Sequence, residues 1–439
     1  MVTILGLYLL MLFAVAIYAS RRQNVDGYLL NNRKTSASLL AFSNVANYVG
    51  AGATIFIVSE IAQGSLVTGL GFVVGRPLSF IVFALIAAKI RQVGRECNAA
   101  TISDFFEYRF GVANRRLMSL FQLVFIAMGV SIQVIASSWL ISSVLGTSYL
   151  VSAIILFAVS ALYSAVGGIK ADILTDMIQF MVIAALFVLL SIFIYINPDF
   201  TQSMSKIGNI GMGNKLGTSL VLLLVMIVSL IVYPTNWQLT LSARDEKTAY
   251  KSCWYSAGLS LIVQSLVVFF GLYAFGALKG ITNYNLALFE LIQNTMPSYL
   301  AGLGLSALLA ITMSSLDSLF VAGSSIISGE FLRKTSDNAI WEIRLITLLF
   351  GCLSFAIALC FPSISKMVYF YTAWGLIPIA VTLLGIYKIN ISQRSVFASM
   401  LISMLAIFIV YPLAGFASIW YIPLLSLIIV VVMNKFTKQ

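Results

Sequence analysis

The chain has 439 residues, 60% of them hydrophobic and 9% charged, with a mean hydropathy of +1.01 and a formal net charge of +11. A soluble globular domain does not carry this composition, and with no histidine anywhere both zinc chemistry and His-based acid–base catalysis fall away. The surplus Lys and Arg residues are dispersed in short loops between apolar runs, so they speak to membrane orientation rather than to nucleic acid.

In chain order, the apolar run 3–20 is followed at once by Arg21 and Arg22. A signal peptide carries its charge before the run and a small-residue cleavage site after it, so this segment reads as a retained helix with its N-terminus outside. Further segments of spanning length lie at 37–62, 65–90, 117–143, 149–166, 173–197, 217–241, 253–278, 300–328, 341–362, 367–387, 395–412 and 415–434, which makes about thirteen spans in one transmembrane unit. Alternation then leaves only Lys206, Lys215, Lys279 and Lys366 in outside loops. Arg76 lies within a span, and every other Lys and Arg falls inside, as does the C-terminus. The loop 94–111 mixes acids, bases and aromatics and predicts a short interfacial helix on the cytoplasmic face. The loops 197–217 and 280–297 are long enough to form partial lids. Of the four cysteines, Cys97, Cys253, Cys352 and Cys360, the first two fall in loops on the side where disulfides are disfavoured.

Four features interrupt the apolar pattern. The second span is broken near its middle by Gly50 and Gly52, which reads either as close helix packing or as an unwound helix whose free carbonyls and N–H groups bind ligands. Arg76 stands inside the third span, where it needs an acidic partner, Glu60 being one candidate, or an anion to meet. The segment Gly167 to Phe180, GGIKADILTDMIQF, places a turn before Asp176, flanked by Thr175 and Gln179; a solvated aspartate at a helix start is the alternative to a functional one. Between Ser306 and Ser325, Asp317 shares a helix face with Ser314 and Ser318 and has Ser315 on its flank, an all-oxygen surface that suits a hard cation. The alternative there is a buried polar contact made for packing.

GGIKADILTDMIQ, TISDFFEYRFG, NVDGYLLNNRK and SALLAITMSSLDS together resemble the sodium:solute symporter family, over roughly residues 26–388 and in order. The resemblance implies an all-α, leucine-transporter-like fold of two inverted five-helix repeats, near 37–197 and 217–387, with an extra helix at 3–20 and two more within 395–434. It implies a main sodium site of backbone carbonyls from Ala46, Val49 and Ile311 with hydroxyls from Ser314 and Ser315. Ile311 stands where the family often has alanine, a change that a carbonyl ligand tolerates. A second cation site of some members falls on Asp176, Ser314, Asp317 and Ser318. Asp317 replaces a residue that is commonly a small hydroxyl or thiol, so two carboxylates there would bind a cation more tightly or share a proton. Candidates for the solute pocket are Gly50, Gly52, Ala53, Thr54, Arg76, Gln133, Tyr371 and Trp374. Leu224 and Ile227 stand where sugar carriers have polar residues, which argues against a sugar, and Leu239, after Asn236, Trp237 and Gln238, stands where the family frequently has arginine.

The function implied is sodium-coupled import of a small polar organic solute by alternating access, in the plasma membrane, by a multi-pass monomer or loose oligomer. Lipid, sodium and the solute are the partners expected, with no cofactor and no nucleic acid. The alternatives are a proton-coupled symporter of the same fold and a non-transporting receptor or scaffold. An enzyme is not expected, since no nucleophile–base pair or metal constellation is visible.

Overall fold

The computed structural model describes residues 2–21, 24–210, 216–297, 300–331, 339–359, 364–415, 419 and 421–437. Arg22, Lys215 and Cys360 lie outside the described residues, as do parts of the 341–362 and 415–434 segments. Among the described residues the chain is all-helical; two short backbone segments pair only at an isolated bridge between Thr35 and Ala243.

The helices are α1 (Val2–Ser20), α2 (Val25–Leu30), α3 (Ala37–Tyr48), α4 (Ile55–Ala62), α5 (Leu66–Glu96), α6 (Ile102–Phe110), α7 (Val112–Leu145), α8 (Tyr149–Tyr195), α9 (Phe200–Ser205), α10 (Leu216–Ser229), α11 (Pro234–Ser242), α12 (Glu246–Ala277), α13 (Ala287–Thr295), α14 (Ala301–Phe331), α15 (Ala339–Leu359), α16 (Ile364–Trp374), α17 (Ile379–Ile386), α18 (Gln393–Ala414) and α19 (Ile422–Thr437). Among the described residues nine spans are long and apolar enough to cross a bilayer, or ten when the bent pair α3 and α4 is taken as one. The difference from the expected thirteen has a local cause in each case. The fifth and sixth segments run together as α8, and the end helices α1 and α19 stand outside that number, with only Gly6–Ser20 and Ile422–Phe436 of them counted as apolar helix among the described residues.

Helix starts follow capping chemistry. Ser36, Thr101, Ser148 and Asp245 each accept a bond from a backbone N–H one turn into α3, α6, α8 and α12, and Thr101 forms a full capping box with Asp104. The helix expected in the loop 94–111 is α6. The expected lid loops carry the short helices α9 and α13. Cys253 belongs to α12 rather than to a loop, and Cys97, Cys253 and Cys352 are free thiols.

Helix α14 runs through the middle, packed on α8, α7, α15, α1 and α3, while α5, α12 and α10 pack together beside it. Arg115 of α7 gathers Asp104 and Glu107 of α6 and Glu330 at the end of α14, and so fixes one end of the central helix.

Helix α8 is broken at Gly168, whose φ of 61° and ψ of −166° belong to a region open essentially to glycine alone. The carbonyls one turn earlier find other donors: Tyr28 Oη donates to Ala165 at 3.1 Å, and Arg344 donates to Val166 at 3.1 Å. A Cβ on Gly168 would stand 2.7 Å from the Tyr28 ring. Gly168→Ala is expected to destabilise the fold by about 3 kcal/mol, from backbone strain and overpacking together. A fall in Tm of the detergent-purified protein checks this, and an unchanged Tm would show that the break does not require glycine.

Candidate functional site

The second span is broken where the glycines predict. Helix α3 ends at Tyr48, a single 3₁₀ turn covers Ala51–Ala53, and α4 leaves at 77° to α3. Breaking a helix frees carbonyls on one side and N–H groups on the other, and each freed group must find a partner. Ser314 Oγ donates to the Ala46 carbonyl at 3.0 Å and also lies 3.5 Å from the Ile311 carbonyl. Ser315 Oγ donates to Asn47 at 2.6 Å, and Thr54 Oγ1 to Val49 at 2.6 Å. On the other side, the Ala51 N–H donates to Gln133 Oε1 at 2.9 Å. The break is therefore closed by side chains from α14 and α7, the rest of the molecule supplying what the helix gives up.

Of the residues expected at the main sodium site, the structure brings Ala46, Ile311 and Ser314 together. Ser315 lies beside them on Asn47. The Val49 carbonyl is turned to Thr54 instead, because the 3₁₀ turn leaves it without a backbone donor.

The second cluster lies between α3, α8 and α14. Ser43 donates to Asp176 Oδ2 in a short contact, and Asn47 Nδ2 donates to the same oxygen at 3.1 Å. Ser318 Oγ contacts both oxygens of Asp172 at 2.8 Å, and Ser164 Oγ donates to Asp317 at 3.2 Å. Asp176 is 0% exposed and Asp317 1%, which excludes the solvated helix-start reading of Asp176. The four residues expected to form one site thus hold different partners: Ser314 is on Ala46, Ser318 on Asp172, Asp317 on Ser164 and Asp176 on α3. Among the described residues no group of three or more acidic or thiol side chains is placed to share one metal ion. Asp176 Oδ1 and Asp317 Oδ2 are buried with no hydrogen-bond partner among the described residues. Asp172, Ser43, Asn47 and Ser164 escaped the reading of the sequence. Asp172 stands four residues before Asp176 on one helix face, and Ser43 and Asn47 are likewise four apart, a spacing that marks a shared polar stripe in an apolar helix.

Beside the break lies a small cavity of about 70 Å³. Gly50, Gly52, Ala53, Arg76, Gln133 and Tyr371 line it, with Tyr48, Tyr233 and Met226 among the others. Two expected pocket residues do not. Thr54 is consumed by Val49, and Trp374 stacks on Phe121 at 5.6 Å and donates to the Phe121 carbonyl at 3.2 Å. Leu224, used above to argue against a sugar, is exposed on the outer side of α10, and neither it nor Ile227 lines the cavity, so that argument does not carry to this pocket.

Arg76 is buried, its guanidinium carbon 4.3 Å from the centre of the Tyr48 ring. Among the described residues its donors reach only the Met226 sulfur at 3.3 Å and the Ser229 hydroxyl at 3.5 Å, and Nε has no partner. The pairing with Glu60 is not formed, and no carboxylate among the described residues lies within ion-pair distance of Arg76. A cation–π contact is worth about 2 kcal/mol when desolvated, less than the several kcal/mol that burying an unpaired ion costs.

Compared with known proteins, residues 28–403 match the profile of the sodium:solute symporter family. The chain is 26% identical to the sodium/pantothenate symporter of Haemophilus influenzae, over 73% of this chain and 69% of that protein. It is 27% identical to the sodium/proline symporter of Escherichia coli, over 76% of this chain and 72% of that protein. In fold it is similar to a Na+-coupled sialic acid symporter solved in a substrate-bound, outward-open state, with a TM-score of 0.86, 18% identity and coverage of 99% of this chain and 96% of that one. A nucleobase-cation-symport-1 family transporter is a more distant neighbour, with a TM-score of 0.53 and 12% identity over 92% of each chain.

Gly50 has φ −61° and ψ −178°, which any residue adopts, so only space demands glycine there; a Cβ would stand 2.2 Å from Ser315 Oγ. Gly50→Ala is expected to cost about 2 kcal/mol. In a double-mutant cycle read by Tm, Ser315→Ala should recover about 1 kcal/mol of that loss, and strict additivity would show that the two residues do not press on each other.

Proposed function

We propose, from the premise that the chain belongs to the sodium:solute symporter family, that it is a sodium-coupled secondary transporter importing a small polar organic solute by alternating access. The observation that carries this reading is the contact of Ser314 with the Ala46 and Ile311 carbonyls, an all-oxygen locus at a helix break. The proton of Ser314 now bridges two oxygens; a sodium ion in that place would be met by the same two carbonyls and by the hydroxyl oxygen. Ser315 and Val49 would join by releasing Asn47 and Thr54. Ion binding would then draw α3 and α14 together and set the width of the adjoining cavity, where Gly50, Gly52, Ala53, Arg76, Gln133 and Tyr371 would meet the solute.

The same reading takes the chain as about thirteen spans with the N-terminus outside and the C-terminus in the cytoplasm, in the plasma membrane, as a monomer or loose oligomer. The inverted repeats at 37–197 and 217–387 would each begin with a broken helix. That is supported by the second break between α10 and α11, where Trp237 Nε1 donates to Ile231 at 2.7 Å and Gln122 to Val232 at 2.8 Å. Asp176, Asp317 and Ser318, with Asp172 added, are the candidate second cation site. The unpartnered oxygens of Asp176 and Asp317 also favour a second reading, in which a proton takes that place instead of sodium.

Uptake of labelled amino acids and organic acids into reconstituted vesicles, driven by a sodium gradient, tests the main proposal. Ser314→Ala should weaken the apparent sodium affinity about tenfold or more. Uptake unchanged when potassium replaces sodium, with the proton gradient collapsed, would refute sodium coupling. Asp317→Ser should remove one cation from the coupling ratio; an unchanged ratio would return Asp317 to a packing role.

A further inference from the structure

Arg76 stands in the wall of two cavities. Besides the one at the helix break, a second of about 40 Å³ lies against Phe125, Ser229, Gly375 and Leu376. The two share Tyr48, Arg76, Met226, Tyr233, Tyr371 and Thr372. The guanidinium and three tyrosine rings therefore form a partition shared by the walls of both cavities. The rings are in mutual contact, Tyr48 and Tyr233 at 4.9 Å and Tyr233 and Tyr371 at 6.4 Å between centroids, and Phe125 stacks on Tyr371 at 4.1 Å.

Two unpartnered polar atoms lie in this partition, Arg76 Nε and the Tyr48 hydroxyl, both buried. Arginine does not lose its proton in proteins, so the charge stays and must be met by something the described residues do not supply. Its planar fork matches the two oxygens of a carboxylate. No second Lys or Arg lines either cavity, so there is one anchor for one anionic group. No Asp or Glu lines either cavity, so an ammonium group would find no counter-charge, only aromatic faces that already adjoin the Arg76 cation. The remaining walls are aromatic faces, glycine backbone and the Gln133 amide.

We propose that the solute is a small monocarboxylate with an uncharged body, its carboxylate held by Arg76 with the Tyr48 hydroxyl and its body lying along the tyrosine rings toward Gly50 and Gln133. This rests on the symporter reading above and names its substrate class. A halide would meet the charge too, but it would leave the aromatic faces and the Gln133 amide of the walls without a ligand.

The test is thermal stabilisation of the purified protein by benzoate, butyrate and pantothenate, each paired with its neutral counterpart, benzamide, butyramide and pantothenyl alcohol. Runs are made in sodium sulfate and in potassium sulfate, with sodium chloride as the halide arm and proline as a zwitterion. The expected result is a sodium-dependent rise in Tm with at least one carboxylate and none with its neutral partner. Arg76→Gln should weaken that carboxylate about tenfold or more, with the shift caused by sodium alone preserved. Arg76→Lys, which keeps the charge and loses the fork, should fall between, and it stands in should the glutamine variant not fold. Equal shifts with the neutral partners, shifts surviving in Arg76→Gln, a response to chloride or proline alone, or no response to any carboxylate would each overturn the proposal. The sodium-only shift and its loss in Ser314→Ala read the sodium site separately, so a failure here with that shift intact leaves the symporter reading standing.

Discussion

The structure turns on three hydroxyls that take the place of a helix. Where α3 stops, the carbonyls of Ala46, Asn47 and Val49 lose their backbone donors, and Ser314, Ser315 and Thr54 supply replacements. A continuous helix would hold these carbonyls rigidly and offer nothing to a ligand. A helix unwound without partners would leave several buried dipoles unsatisfied, each costing about 1–3 kcal/mol. The hydroxyls resolve the conflict, because a serine oxygen can donate to a carbonyl in one state and ligate a cation in another. The two serines of α14 lie 268 residues from the carbonyls they meet, so closure of this break is also a tertiary contact.

The same device recurs elsewhere in the chain. At Gly168 the freed carbonyls of α8 are met by Tyr28 and Arg344, and at the start of α11 by Trp237 and Gln122. The acids Asp172, Asp176 and Asp317 add links among α3, α8 and α14 through Ser43, Asn47, Ser318 and Ser164. Three helices are thus joined through polar groups rather than through apolar packing alone.

Much of this was legible in the sequence for identifiable reasons. Gly50 and Gly52 announced the break because glycine in an apolar run is costly without a use. Asp317 announced the polar face of α14 because a carboxylate in a bilayer is rarer still. The NVDGYLL segment was visible as part of a family resemblance, but its physical role, Tyr28 sealing the break at Gly168, could not be read, because no local pattern tells where a ring will be inserted. Pairings were the part that failed. Glu60 was a plausible partner for Arg76 by proximity in the chain, yet the guanidinium lies on Tyr48. Ser318, expected in one cation site with Asp176, lies on Asp172, one helical turn away. Which of two acids a turn apart a distant serine meets depends on helix rotation, and rotation is set by packing over the whole bundle. Thr54 and Trp374 show the same limit from the other side, being polar or aromatic residues near a cavity that are engaged by their own neighbours.

The claim on which the rest depends is that a cation replaces the hydroxyl contacts at the helix break. Amide hydrogen exchange across residues 47–54, measured on the purified protein in sodium and in potassium, tests it most directly. The account predicts slower exchange in sodium at Ala51 and Ala53, abolished by Ser314→Ala. Identical exchange in the two cations would contradict it.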